Sequence, residues 1–471
     1  MADVQFEVAE KLNHFGQSGL LKHLQAIDPA SAERLLNQIN KVDLRMIQEI
    51  WQSASAEEAV SESASDRISR AQAPATVVRQ PEAEADQQAW TDADSLGAAA
   101  LAEGRVAVIT VAGGQGSRLG FDHPKGMFPI GPVTNRTLFQ IFGEQIQARC
   151  KRHHADILWL IMTSDATHDE TVSFFEENDF FGLESKSVHF FQQGSLPAID
   201  AKTGELLLSS VDSLCLSPDG HGGLVNALKN SGLLDLLKQR GVEHLFYHQV
   251  DNPTVIMCDP ALLGFHIEQK SQLTTNVVRK VSPTERMGVL ADVDGRTQII
   301  EYSELTPEQA ASEDENGQWI FWAGNTAIHV FSREFLEQLA EDGCRLPLHV
   351  ARKNVAFLRA DGTMVKPDDP ANPNAVKLER FIFDALPMAE KNLIVEGNRD
   401  REFNPVKNRE GADSPATSRA ALNRIAREWL AAAGIEVSEE KSIEISPLTA
   451  LDAAELSERE TRDLMDEIVI Q

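Results

Sequence analysis

Apolar residues recur at helical spacing through the first fifty positions: Leu12, Leu20, Leu21 and Leu24, then Leu35, Leu36, Ile39 and Leu44. This spacing predicts helices over about 3–52, with Asp28 before Pro29 as a cap. Large apolar residues then nearly vanish from Ser53 to Gln88, where Ala, Ser, Glu, Gln and Pro dominate. That composition predicts a flexible, solvated acidic segment, above all over 71–88. From Leu101 the pattern changes to short β-branched runs alternating with helical periods. Strands are predicted at 106–111, 157–162, 188–191, 244–249, 275–281, 297–301 and 321–329, and helices at 138–150, 167–178, 222–240, 260–268 and 333–341. Such alternation argues an α/β core with a mostly parallel sheet covered on both faces. Beyond about Leu386 the chain is polar again, with one clear helix over 414–433 and short β-like pieces near 443–445. The expected organisation is a helical N-terminal region (1–100), a core (101–385) and a small C-terminal α+β lobe (386–471).

The first core run, Val106-Ala107-Val108-Ile109-Thr110-Val111, empties into Ala112-Gly113-Gly114-Gln115-Gly116-Ser117-Arg118-Leu119-Gly120-Phe121-Asp122-His123-Pro124-Lys125-Gly126. Glycines let backbone N–H groups approach an anion without Cβ interference. Arg118 and Lys125 add full positive charge where pyrophosphate would lie. A dinucleotide fingerprint would need glycine where Leu119 stands, and a Walker A loop would not place Lys125 between Pro124 and Gly126.

Charge and cysteine usage narrow the picture. A net charge of −28 over 471 residues argues against nucleic acid and anionic membrane as partners. A polyanionic substrate would need a local cationic pocket, which the glycine loop supplies. Cys150, Cys215, Cys258 and Cys344 form no C-x-x-C pair, so free thiols in a reducing compartment are expected. The N-terminus lacks a basic region followed by an apolar run, and no stretch is long enough to span a bilayer. A cytoplasmic monomer is the expectation.

Further strings carry chemistry of their own. Asp251 and Asn252 follow the run Leu245-Phe246-Tyr247-His248-Gln249-Val250 and so end a strand, where one carboxylate can hold Mg²⁺ against triphosphate oxygens. Pro218-Asp219-Gly220-His221-Gly222-Gly223 is a second glycine turn opening a helix, able to read the edge of a base; Gln193 offers an amide that both donates and accepts. Glu301 and Asn325 are polar residues inside apolar strands and need partners. Lys407 sits in a loop-like stretch, Asn404-Pro405-Val406-Lys407-Asn408.

Taken together with Gln192-Gln193-Gly194-Ser195-Leu196-Pro197, Val250-Asp251-Asn252, Glu301-Tyr302-Ser303-Glu304 and Ala323-Gly324-Asn325, these strings resemble eukaryotic-type UDP-N-acetylhexosamine pyrophosphorylases, within the wider UDP-sugar pyrophosphorylase family. The likeness runs from about Val106 to Ala433. It implies a Rossmann-like, mostly parallel mixed sheet with a GT-A-like nucleotidyltransferase core. It implies a uridylyltransferase taking UTP and a sugar 1-phosphate with Mg²⁺. By the same resemblance Arg118, Lys125 and Lys407 serve the phosphates and Asp251 the metal. Gly113, Gln193 and Gly222 approach the base, while Gly288, Glu301 and Asn325 hold the sugar. Gly114, Gly220, His221 and Asn252 complete the substrate-binding set.

The departure from the resemblance is His221. The N-acetylhexosamine branch has Asn in this turn, and enzymes of plain hexose phosphates have Gly-His-Gly. N-acetylglucosamine 1-phosphate is the expected sugar, with a UDP-glucose or broad-specificity enzyme as the alternative and a non-catalytic nucleotide-sugar sensor as a third reading. Trp322, before Ala323-Gly324-Asn325, is a second position expected to reshape the sugar pocket.

Overall fold

The computed structural model describes residues 2–56, 64–359, 362–366, 372–458 and 468–470. The chain divides into two compact units, each discontinuous in sequence. One comprises 64–192, 224–345 and 383–471; the other comprises 1–63, 193–223 and 346–382. These lines differ from the contiguous 1–100, 101–385 and 386–471 boundaries read from the sequence.

The larger unit is built on a ten-stranded sheet. Val106–Val111 lies parallel to Leu158–Thr163 on one side, with Val188–Gln192 beyond it, and to His244–Gln249 on the other. Ala323–Ser332 then runs antiparallel between His244–Gln249 and Leu273–Arg279. Parallel pairing resumes with Asn392–Glu396 and Val77–Val78. A mostly parallel mixed sheet was expected, and this is one. Its inner strands are buried on both faces, with Val106, Val108, Ile109, Trp159 and Ile161 fully inaccessible, which is why they read as continuous apolar runs.

The helices have local reasons to start where they do. Thr137 caps Leu138–His153 by accepting the Gln140 N–H, and Asp259 caps Pro260–Glu268, with proline at the first turn. Pro260–Glu268 packs against Glu84–Ala102 at unusually short range. A Cβ at Gly97 would overlap the Pro260 carbonyl, and one at Gly264 would overlap the Ala93 carbonyl. Each helix therefore presents a glycine to the other's backbone.

Three expectations change. The segment over 71–88 is ordered where it is described: Val77–Val78 pairs with Ile394 and Val395, Gln72 bridges Asp292, and helix Glu84–Ala102 begins inside it. The Trp90 indole donates to the Arg79 carbonyl at 3.0 Å and ties that helix to the strand. Earlier in the acidic stretch, Leu44–Ala56 runs into its start and Ala64–Ser69 is a short helix, while 57–63 lies outside the described residues. The single helix expected over 222–240 breaks at Gly232 (φ +74°) into Leu224–Asn230 and Leu233–Gln239. The C-terminal lobe is not separate. Asn392–Glu396 is a buried sheet strand, and helix Pro415–Ala432 packs with a two-stranded piece, Ile443–Glu444 and Val469–Ile470, within the same unit.

In the smaller unit the helices Ser18–Ala26, Pro29–Ile39 and Leu44–Ala56 contribute Leu20, Leu35, Ile39 and Leu44 to one core. Ile199, Leu208, Leu214, Val376 and Leu378, from its short strands, complete that core. Asp28 does cap Pro29–Ile39, accepting the Ala30 and Ser31 N–H groups.

Candidate active site

At the carboxyl end of Val106–Val111 the chain stays in register for one more residue, the Ala112 N–H donating to Met162 O at 2.8 Å. It then folds on itself. The Gly116 N–H donates to His123 O (2.9 Å), the Leu119 N–H to Gly116 O (2.7 Å) and the Lys125 N–H to Gly114 O (3.0 Å). Gly126 seats the far end on the core, since a Cβ there would overlap the Phe139 ring. The Ser164 hydroxyl anchors the near end by donating to Gly113 O at 2.8 Å. Between the anchors Gly114 and Arg118 are exposed, and nothing lies within 4 Å of where a Gly114 Cβ would stand. The loop is thus held at both ends with its backbone open in the middle, the condition for cradling an anion.

The neighbouring strand brings the counter-charge. Gln249 pairs with Val111, and the Val250 N–H donates to Val111 O at 3.1 Å, so Asp251 emerges beside the glycine loop. Lys125 Nζ stands 3.4 Å from Asp251 Oδ2, both side chains 17 % exposed. The Val406 N–H donates to Asp251 O (2.8 Å), and the Lys407 N–H to Asp413 O (2.7 Å). This fixes the start of the Lys407 loop against the same strand end, with the Lys407 ammonium 5.3 Å from the Phe403 ring centre.

The residues expected to hold the sugar also meet. Val289 pairs with Ile300, so Gly288 comes to face Glu301, and a Cβ on Gly288 would lie 3.1 Å from Glu301 Oε1. The Asn325 N–H donates to Gly288 O at 2.9 Å. Burial, aided by repulsion from Glu304, pushes the Glu301 carboxyl above its ordinary range, and Lys407 opposes the shift.

Asn252 was expected on the substrate, and the structure gives its side chain other work. It is 4 % exposed. Its Nδ2 donates to Glu402 O (2.6 Å), while Oδ1 accepts from the Thr254 N–H, the Thr254 hydroxyl (3.0 Å) and the Asn404 N–H (3.2 Å). It ties the Asp251 turn to the loop that carries Lys407. Trp322 is likewise occupied. It is 5 % exposed, with the Arg79 and Arg279 guanidiniums over its ring at 4.0 and 5.0 Å.

Gln193, Gly220, His221 and Gly222 belong to the smaller unit. Next to Gln193, Gly194 O accepts the Asp219 N–H at 3.0 Å. Gly220 turns the chain at φ +84°, and the Gly222 N–H donates to Arg380 O (2.8 Å). Burial pushes the Asp219 carboxyl up to about 6, with Arg380 opposing. The His221 ring lies 5.4 Å from Phe381, and its Nδ1 accepts the Ile382 N–H at 3.2 Å, which assigns the proton of a neutral ring to Nε2.

Two buried residues outside the sequence expectations stand behind the site. Asn276, 2 % exposed, donates from Nδ2 to Glu402 Oε2 at 2.9 Å, and Glu402 Oε1 accepts the Asn398 N–H at 2.6 Å. Burial, with Asp259 nearby, pushes the Glu402 carboxyl up to about 7. The one signal in the sequence is a lone amide inside the strand run Leu273-Thr274-Thr275-Asn276-Val277-Val278.

An α/β sheet whose first strand ends in an open glycine loop, with an ammonium group facing a carboxylate from the next strand, has the form of a nucleotidyltransferase phosphate site. The comparisons agree. Residues 46–458 match the UTP–glucose-1-phosphate uridylyltransferase family, and the chain belongs to that family. It is 35 % identical over 442 residues to the UDP-N-acetylhexosamine pyrophosphorylase-like protein 1 of Mus musculus, covering 92 % of this chain and 86 % of the relative. It is 37 % identical over 372 residues to the UDP-N-acetylglucosamine pyrophosphorylase of Saccharomyces cerevisiae, 77 % of each chain. The crystal structure of the uridine diphosphate N-acetylglucosamine pyrophosphorylase of Trypanosoma brucei, in complex with inhibitor, superposes with a TM-score of 0.82 at 27 % identity, covering 96 % of this chain and 94 % of that one. Among the described residues no helix is long and apolar enough to cross a membrane.

Proposed function

We propose that this chain is a uridylyltransferase that converts UTP and N-acetylglucosamine 1-phosphate to UDP-N-acetylglucosamine and pyrophosphate. The observation that carries the reading is the Lys125–Asp251 juxtaposition at the mouth of the glycine loop. The mouse, yeast and trypanosome relatives are named for an N-acetylated sugar, which favours that sugar over glucose.

A phosphate oxygen of the sugar 1-phosphate attacks the α-phosphorus of UTP in line, the α–β bridging bond breaks, and pyrophosphate leaves. The nucleophile is already an anion, so no protein nucleophile is needed, and rate comes from positioning and charge neutralisation. The open amides around Gly114, with Arg118 and Lys125, take the leaving pyrophosphate. Lys407 balances charge on the attacking phosphate. Gly288, Glu301 and Asn325 hold the sugar: the carboxylate accepts from hydroxyls, and the amide pairs with the N-acetyl group.

Asp251 fits a Mg²⁺ site. Among the described residues no three His, Cys, Asp or Glu side chains cluster, and Mg²⁺ commonly takes one or two carboxylates and leaves the rest of its shell to phosphates and water. Asp251 would hold the ion, which when bound neutralises charge on the triphosphate. The test is product analysis: UTP, Mg²⁺ and N-acetylglucosamine 1-phosphate should give UDP-N-acetylglucosamine and pyrophosphate in equal amounts. Absence of the sugar nucleotide would overturn the reading.

A further inference from the structure

The sugar-holding edge contains an irregularity. Leu273–Arg279 and Ala323–Ser332 pair regularly as far as Asn276 opposite Ile328, after which Val277 lies opposite Asn325. Thr326 and Ala327 are therefore extra residues on one strand, and Ala327 adopts φ +58°. Asn325 lies at the edge of this bulge, its Oδ1 accepting the Ala327 N–H at 3.0 Å. A left-handed alanine inside a strand is strained and persists only where its surroundings enforce it.

A chain of buried hydrogen bonds enforces it here. The Thr326 hydroxyl lies 2.8 Å from Asn276 O and 3.0 Å from Asn276 Oδ1, to either of which it can donate, and it accepts the Ile328 N–H. Asn276 Nδ2 donates to Glu402 Oε2. Glu402 O in turn accepts from Asn252, the residue after Asp251, and Asn252 Oδ1 accepts the Asn404 N–H, three residues before Lys407. Gly397 admits the close approach, since a Cβ there would stand 2.5 Å from Asn276 Nδ2 and 2.6 Å from Glu402 Oε2.

We propose that the Asn276–Glu402 hydrogen bond is a positioning strut that sets the Asn325 bulge relative to the Asp251 turn and the Lys407 loop, so that its loss penalises the sugar 1-phosphate and spares UTP. The inference rests on the assignment of Asn325 and Glu301 to the sugar. Asn276 and Glu402 touch no reacting group. They act through Asn325 and Asn252, and a misplacement of about 1 Å at such distance from the chemistry can cost about a hundredfold.

The test uses isosteric changes in the full-length enzyme. Glu402→Gln replaces one of two accepting oxygens by an NH₂, so either the Asn276 amide or the Asn398 N–H loses its acceptor and the strut or its anchor is broken. KM for N-acetylglucosamine 1-phosphate should rise about tenfold or more, while the Kd for UTP, titrated alone, stays within about twofold. The reciprocal swap Asn276→Asp with Glu402→Gln reverses donor and acceptor and keeps both volumes and the net charge. It should return the sugar KM to within about threefold of the parent's. It also supplies the reading if the single variant does not fold. Equal losses for both substrates, an unchanged sugar KM in folded Glu402→Gln, or a folded swap with the sugar KM still raised would overturn the proposal. Activity in the parent separates any of these results from failure of the proposed reaction itself.

Discussion

Replacing Lys125 with methionine removes one charge and keeps the aliphatic stem. At 3.4 Å from Asp251 Oδ2, the gross attraction at an effective dielectric near 20 is about 5 kcal/mol. Most of this is offset by desolvation and side-chain ordering, so the pair adds about 1 kcal/mol to the free protein. The melting temperature should therefore fall by only about 1–2 °C. The effect on turnover should be larger, because in the proposed reaction the ammonium faces charge that grows on the leaving pyrophosphate. Loss of one preorganised donor of that kind costs about 3–4 kcal/mol, or roughly 100- to 1000-fold in kcat. The assay is pyrophosphate release at saturating UTP and N-acetylglucosamine 1-phosphate, with circular dichroism confirming the fold. The Mg²⁺ concentration for half-maximal rate should hold or fall, since the ammonium no longer competes for Asp251. A folded variant with kcat within about threefold of the parent's would refute the role given to Lys125.

Three further outcomes follow from local geometry. Asp219 is buried with its carboxyl raised to about 6, and its Oδ1 has no hydrogen-bond partner among the described residues. The folded state therefore holds the proton more tightly than the unfolded one. Stability from this group is full below about pH 4, is lost as pH rises to about 6, and is flat above. Asp219→Asn should thus be more stable than the parent by about 1–3 kcal/mol at pH 8, with the gain gone at pH 4; thermal melts at both pH values decide it, and equal shifts would contradict the argument. Gly264→Ala should lower stability by about 1–3 kcal/mol or more in denaturant melts, because its methyl would meet the Ala93 carbonyl; an unchanged midpoint would show that the two helices can part without cost. His221→Asn should keep the order of sugar preference, since the Nδ1 contact to the Ile382 N–H can be remade by an amide oxygen; a switch of preferred sugar would make that ring a specificity element.

The core was legible because its strands are buried on both faces: 106–111 is apolar but for Thr110, 244–249 carries Leu245, Phe246 and Tyr247 at its centre, and the two end just before Gly113 and Asp251. The segment over 71–88 was not, because Val77 and Val78 are only two apolar residues and acquire their meaning from Ile394 and Val395, some three hundred positions away. The smaller unit escaped the reading for a related reason. Its core joins Leu35 and Ile39 to Ile199 and Leu378, contacts that no local periodicity reports. At the candidate site, residues in glycine strings or at strand ends stand out in the sequence. Asn252 carried the right amide at the right place, but whether an amide faces substrate or the Glu402 carbonyl depends on where a loop from the other end of the chain comes to rest. Asn276 and Glu402 depend on the same long-range docking and on a bulge that the strand pattern hides.

The most direct test of the proposed reaction compares kcat/KM for the 1-phosphates of N-acetylglucosamine, N-acetylgalactosamine, glucose and galactose, with UTP saturating and Mg²⁺ present. Pyrophosphate release should favour N-acetylglucosamine 1-phosphate over both plain hexose phosphates by about tenfold or more, the range a missing polar contact in a fitted pocket commands. Preference for glucose or galactose 1-phosphate, or no release with any of the four, would contradict it.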